Sequence, residues 1–295
     1  MASASYSGVS AQIPFVLQAV MDYAKETFFM PNLVTVHTDM MGMNPRAFSQ
    51  FPSSGTVFNG LAEATDLTAQ GFDYTALGTI TPKEVAYRID ITDQRATTDG
   101  SLSIDALGAI AQEFAYKVMK QPEVDLISYF SSFTGGTIWA GSAANTAGTL
   151  NWGNLYAARA TLEKAKIPGP YYCVVDNYHY HYLATAANVA GLTNAAPLNI
   201  RNDIQSNYLV TQVTNDMFLY TSPNCGTNSS TQIFMGVFAR PSLHLDVRRG
   251  LRVAPQRDES ARLLELNATM WYGSGIIRPT FGVTIKGTVI SSVNN

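Results

Sequence analysis

Residues 84–92 alternate without a break. Val85, Tyr87, Ile89 and Ile91 fall on one face of a strand, and Ala86, Arg88, Asp90 and Thr92 on the other. Upstream, Gly71-Phe72-Asp73-Tyr74-Thr75 is the expected partner strand, with Gly78, Thr81 and Pro82 between them as a turn or loop. On this reading, residues 56–97 make a long, mostly two-stranded excursion. An isolated hairpin is marginal in water, so such an arm needs another surface to lie on.

Charge points the same way. Only 14% of the 295 residues are charged, against about 25% in an ordinary soluble domain. A chain this poor in charge either buries an unusual share of its surface or coats it with neutral polar groups. Burial against copies of itself is one solution. The net charge of −3 argues against a dedicated nucleic-acid binder, which is normally strongly basic. With 46% apolar residues there is ample core for one large domain or two small ones. Met1 to Ser10 carries no Lys or Arg and so does not read as a secretory signal. No apolar run reaches the ~18 residues that cross a bilayer. The expectation is a soluble protein made in a cytoplasm, with Cys173 and Cys225 as inert thiols.

The rest of the chain reads as α+β. The opening stretch to Asp22 is uncharged, and Pro31, Pro45 and Pro52 punctuate the residues after it, so 1–55 is expected to be extended. A helix comes next along the chain beyond the excursion, capped by Ser103 with Asp105 in its first turn. Ile104, Leu107, Ala111, Phe114 and Val118 form its apolar stripe. Pro122 is expected to kink or restart it before Val124, Ile127 and Phe130 continue the pattern. Between 134 and 200 the charged residues are Arg159, Glu163, Lys164, Lys166 and Asp176. Asn154 is the expected cap of a short helix carrying Leu155, Ala158, Leu162 and Ala165, which Ile167-Pro168-Gly169 stops. Tyr171 to Val175 reads as a buried strand and 177–188 as another helix, an α/β alternation. Strands then run through Leu243, Leu245 and Val247, through Leu264, Leu266, Ala268 and Met270, and through Val283 and Ile285.

Chemistry is harder to find. There is no GxxxxGK[ST] loop and no GxGxxG, and Gly273-Ser274-Gly275 is not a GxSxG elbow. His179 and His181 sit at a helix start, where i and i+2 diverge by about 200°, so they read as structural histidines among tyrosines. Acids such as Asp258 and Glu259 lie beside Arg257 and Arg262 and read as ion-pair partners. The one dense arginine cluster is Arg240, Arg248, Arg249, Arg252, Arg257 and Arg262. It is either a charged loop with local ion pairs or an interface, since Arg is favoured at protein contacts. No catalytic, metal or cofactor residue is assigned, and the chain is read as a non-enzyme.

Four segments carry a resemblance. Ala86-Tyr87-Arg88-Ile89-Asp90-Ile91-Thr92-Asp93 is the first. Residues 103–130 are the second. The third joins Ala157-Ala158-Arg159-Ala160-Thr161-Leu162 to Ile167-Pro168 and Tyr172-Cys173-Val174-Val175-Asp176. The fourth is Tyr272-Gly273-Ser274-Gly275-Ile276-Ile277-Arg278-Pro279-Thr280 with Val283-Thr284-Ile285-Lys286-Gly287. In this order they resemble, respectively, the returning strand of the extended loop, the spine helix, the start of the axial domain and the closing strand of tailed-bacteriophage major capsid proteins with the Hong Kong 97-type fold. The similarity spans about 85–290, and 195–235 match no segment of the family.

The resemblance implies five parts: an N-terminal arm at 1–55, an extended loop at 56–97, and a peripheral domain with the spine helix at 98–150. An axial domain at 151–235 and closing strands at 236–295 complete it. It implies self-assembly through hexamers and pentamers into an icosahedral shell around double-stranded DNA. It also implies a virion component assembled in the host cytoplasm, with non-specific DNA contact and with scaffolding, portal and cement proteins as partners. Residues 70–92 are expected across a neighbour's spine helix, with Ala76 to Pro82 as the tip. The expected inter-subunit contacts are Tyr74, Tyr87, Arg88, Asp90, Arg248, Arg249 and Arg252. Some members join subunits through a Lys–Asn isopeptide. Arg262 and Thr269 stand where that Asn and its acid are expected, so no cross-linking residue is assigned. An encapsulin shell, which holds an enzyme cargo, is the alternative within the fold. A hydrolase is the alternative from another class.

Overall fold

A computed structural model describes residues 28–50, 74–92, 104–141, 147–189, 209–214, 216–227 and 231–290. The elements begin with α1 (Met30–Leu33), β1 (Thr35–His37), β2 (Arg46–Gln50), β3 (Thr75–Ile80) and β4 (Lys83–Thr92). The long helix α2 (Ile104–Ser128) is next, then β5 (Thr137–Trp139), α3 (Trp152–Lys164), β6 (Tyr171–Val175) and α4 (Asn177–Val189). The chain closes with β7 (Leu209–Thr214), β8 (Met217–Thr221), β9 (Gln232–Ala239), β10 (Leu243–Asp258), β11 (Leu263–Ile276) and β12 (Gly282–Thr288). The class is α+β, as the sequence indicates.

A four-stranded sheet in the order β1-β10-β11-β4 carries the long helix. β10 and β11 form an antiparallel hairpin whose turn is built by Asp258. Its carboxylate accepts from the Ser260 and Ala261 amides at 2.9 and 3.1 Å, and Arg262 takes the left-handed conformation at φ 52°. One face of this sheet is apolar, and Val253, Leu266, Ala268 and Tyr272 are buried there. The α2 helix lies on that face: the Tyr272 hydroxyl donates to Asp125, which also pairs with Lys83 at 2.6 Å. The expected alternation of β4 is present, with Ile91 buried and Glu84, Ala86, Arg88, Asp90 and Thr92 exposed. Pro122 lies inside α2 without interrupting it. Of the expected stripe, Val118 and Ile127 are buried; the side chains of residues 104–112 and 114–115 and the expected cap Ser103 lie outside the described residues.

A six-stranded sheet in the order β5-β12-β9-β6-β8-β7 forms the second layer. α3 packs Leu155, Ala158 and Leu162 into the same core as Val174, Val237, Phe238, Val283 and Ile285. Its N-cap is Asn151, not Asn154. The Asn151 side chain accepts from the Asn154 amide, and the Asn154 side chain accepts back from the Asn151 amide. Asn154 lies close to the cap because it is the third residue of a capping box. Phe130, just past α2, joins the two layers by packing against Phe133 and Phe238 at centroid distances of 5.8 and 5.7 Å.

The pairing of the excursion differs from the sequence expectation. β4 pairs along its whole length with β11, from Thr92↔Leu263 to Lys83↔Tyr272. β3 pairs instead with β2, from Arg46↔Ile80 to Gln50↔Thr75. The described two-stranded ribbon is therefore 46–50 with 75–80. Within residues 28–50 the backbone beyond α1 is largely extended, in β1 and β2, and the stretch is tied to the body: Phe29, Met30, Leu33 and Val34 are buried, and β1 adds in parallel to β10. The uncharged opening and Gly71 to Asp73 lie outside the described residues.

Candidate functional site

The sheet surface opposite α2 gathers most of the arginines singled out in the sequence. On β4, Arg88 pairs with Asp90 at 2.9 Å and with Glu265 of β11 at 3.0 Å. Beside them, Arg249 of β10 lies 3.9 Å over the Trp271 ring, donates to Thr269 at 2.9 Å and reaches Glu84 at 3.3 Å. Register places Glu84 opposite Trp271, Asp90 opposite Glu265 and Arg252 opposite Thr269. The result is a continuous polar face of alternating sign across β4, β11 and β10. The ion-pairing side chains are 12–53% exposed, so each pair adds at most about 1 kcal/mol to the subunit.

The expected contact residues divide across the molecule. Arg88, Asp90, Arg249 and Arg252 share this polar face. Tyr87 points to the α2 side of the same strand and is half-buried, so it and Arg88 cannot meet one partner surface together. Tyr74 lies 70% exposed at the start of the ribbon. Arg248 is withdrawn into its own subunit. Its side chain is fully buried against Asp246 at 2.7 Å, and it also donates to the Asn44 carbonyl at 3.0 Å. Breaks in register between Val247, Arg249 and Arg252 put neighbouring arginines in these different environments.

The ribbon is pinned at its base. Ile80 and Pro82 are buried, so the expected tip, Ala76 to Pro82, instead runs down to the sheet and is anchored there at its end. A Cβ on Gly273 would lie 2.6 Å from Ile80 Cγ2, and one on Gly275 would lie 2.9 Å from Ile80 Cγ1. The Tyr272-Gly273-Ser274-Gly275 motif is thus a seat for Ile80. A charged knot holds the other strand: Arg46 of β2 donates to buried Asp246 at 2.9 Å and also binds Asp39. Val36, Met41 and Met43, in the segment between α1 and β2, are exposed.

The sequence reading missed Glu123. It is 2% exposed, at the point where α2 meets the start of the described chain. Its carboxylate accepts from the Phe29 amide at 3.0 Å and from the Ser222 hydroxyl at 3.4 Å. Burial raises its pKa to about 7 in spite of these bonds. The Gln-Pro-Glu context carries no signal of burial; only the three-dimensional meeting of 29, 123 and 222 creates it. His179 is a core histidine as expected. Its Nδ1 accepts from the Leu150 amide at 3.1 Å, its Nε2 lies 3.0 Å from the Thr288 carbonyl oxygen, and burial lowers its pKa. Both cysteines are buried and free, and burial raises their pKa values. Among the described residues, no group of three or more His, Cys, Asp or Glu could hold a metal, and no helix is long and apolar enough to cross a membrane.

No family model matches the sequence, and no curated protein is similar to it. Solved structures are similar to it in fold. The capsid subunit of cyanophage Pam1 superposes with a TM-score of 0.68 at 9% identity, over 92% of this chain and 94% of that one. The capsid of cyanophage P-SCSP1u gives 0.59 at 16% identity, over 89% and 88%. The SrpI encapsulin of Synechococcus elongatus gives 0.61 at 10% identity, over 97% of both chains. The chain has the fold of tailed-phage capsid proteins.

Proposed function

We propose that this chain is the major capsid protein of a tailed phage. Many copies tile through hexamers and pentamers into an icosahedral shell around double-stranded DNA. The observation that carries the reading is the shared fold with the Pam1 capsid subunit across 92% of the chain. The subunit's own physics supports it. A polar face of alternating charge, and a ribbon whose described residues 46–50 and 75–80 leave the sheet at the Ile80 contact, are surfaces suited to neighbouring copies. Arg88, Asp90, Arg249 and Arg252 are the proposed contacts on that face, and Tyr74 the proposed contact on the ribbon.

The five-part division is kept as part of the proposal, with the extended loop running from β2 to β3 instead of over 56–97, and with β4 counted in the sheet it shares with β11. The protein works in the virion, is assembled in the host cytoplasm, and is not an enzyme. Scaffolding, portal and cement proteins are its partners, and its contact with DNA is non-specific.

Negative-stain microscopy of the purified protein tests this directly. Shells or flat hexamers are expected; a monodisperse monomer with hydrolytic turnover overturns the reading. The encapsulin match over 97% of both chains supports a second reading, a cargo-holding protein compartment. Nucleic acid inside native particles favours the phage capsid, and a protein cargo without a genome favours the compartment.

A further inference from the structure

His37 of β1 and His244 of β10 face each other, Nε2 to Nδ1, at 2.9 Å. Their rings lie 12° from parallel with centroids 5.2 Å apart. Phe48, from the base of the ribbon, packs on both, at 5.4 Å from His37 and 4.9 Å from His244. The pair therefore joins three strands: β1, β2 and β10.

The hydrogen bonds fix the tautomers. His244 Nε2 lies 3.2 Å from the Pro241 carbonyl oxygen, which can only accept. So His244 carries its proton on Nε2, and its Nδ1 is a bare lone pair. The bond across the pair then runs from His37 Nε2–H to His244 Nδ1. A second proton on His244 has one place to go, Nδ1. A neutral His37 meets it by moving its own proton to its Nδ1, but once both rings are charged two N–H groups face each other and the bond is lost.

The surrounding charges give that proton no help. Arg46 reaches in from β2, and Arg278 from beyond β11 acts on His244 in the same sense. Asp246 is already shared between Arg46 and Arg248, and Asp39 is bound by Arg46. Burial first, and then His37 and these cations, push the His244 pKa down to about 4.

We propose that His37 and His244 form an acid-opened latch: once both rings are protonated neither offers an acceptor, the bond between them is lost, and β1 and the base of the β2–β3 ribbon are released from β10. Once open, His244 returns to an ordinary pKa near 6.5. Between that value and about 4, the open state takes up a proton that the closed state refuses. Falling pH therefore favours opening by up to about tenfold per unit. The latch belongs to a single subunit. That its opening redirects the ribbon within a shell rests on the assembly reading above.

Backbone hydrogen exchange on the intact chain tests the latch at pH 7.5 and pH 5, corrected for intrinsic exchange rates. Protection across 35–50 is expected to fall about tenfold or more at the lower pH, while β6 stays protected. His244→Asn keeps an acceptor for His37 without a titrating ring, and its protection is expected to be flat between the two conditions. Equal wild-type protection at both pH values overturns the proposal. So does the same acid loss in His244→Asn, or a parallel loss in β6. The readout comes from the subunit itself, so failure to form shells with an intact latch would count against the assembly reading alone.

Discussion

Ile80 stands so close over Gly273 that a single added carbon there would come within 2.6 Å of its side chain. The ribbon strand β3 ends at this contact, so the contact fixes where the ribbon leaves the sheet. Gly273→Ala should cost about 1–3 kcal/mol through overpacking, because both Ile80 Cγ2 and the Thr81 carbonyl resist it. Ile80→Ala removes the obstacle but leaves a cavity. The double variant should therefore be less damaged than the sum of the two single changes. Denaturant midpoints in a double-mutant cycle measure the coupling, and additive losses would contradict this contact.

Glu123 makes the fold sensitive to pH from within α2. Its folded pKa, about 7, lies above the ordinary 4.5 because burial disfavours the carboxylate. The folded state therefore holds a proton between pH 4.5 and 7 that the unfolded state has released. Its contribution is fully present below pH 4.5 and is lost as pH rises through 7. The upper bound of the effect is about 3 kcal/mol. Glu123→Gln should flatten this part of the stability profile and raise stability at pH 8. Urea titrations at pH 5 and pH 8 check it, and an unchanged slope in the variant would rule it out.

The legible part of the sequence was local. The alternation of β4 follows from a period of two residues and is seen directly in its burial. Its partner could not be read, because alternation encodes a face and not a neighbour. Arg88 meets Glu265 across 177 residues of chain, whereas the nearer segment 75–80 pairs with β2. The arginine cluster was visible, but its division was not. The irregular register at 247–252 separates Arg248, buried on Asp246, from Arg249, stacked on Trp271. The order of four segments pointed to the fold. Glu123 and the His37–His244 pair exist only once distant segments meet.

Asp246 should be the costliest charged residue to remove. It is fully buried and serves Arg46 and Arg248 together, at 2.9 and 2.7 Å. Asp246→Ala leaves the buried Arg248 guanidinium uncompensated, a loss of about 3–5 kcal/mol. Arg248→Met replaces a buried cation with an apolar side chain, and Arg46 still neutralises Asp246. It should cost clearly less. Thermal unfolding of the two variants side by side decides the order, and equal losses would mean that the aspartate is not the hub.

The polar face offers the sharpest separation of folding from assembly. Arg88 and Arg249 are 53% and 31% exposed, and their ion pairs each contribute at most about 1 kcal/mol to the subunit. Losing the stack of Arg249 on Trp271 adds about 0.5–1 kcal/mol more. The reversal also sets carboxylates against Asp90, Glu265 and Glu84 of the same subunit, at about 0.2–1 kcal/mol for each opposed pair, so the double variant Arg88→Glu with Arg249→Glu should stay folded with a moderate drop in melting temperature. If this face meets acids of a neighbouring copy, as proposed, the same change sets like charges face to face there, which costs several kcal/mol at a contact. Assembly followed by light scattering should fall at least about tenfold while the far-ultraviolet circular dichroism is preserved. Shells forming at the wild-type rate from this variant would place the inter-subunit contacts elsewhere on the molecule.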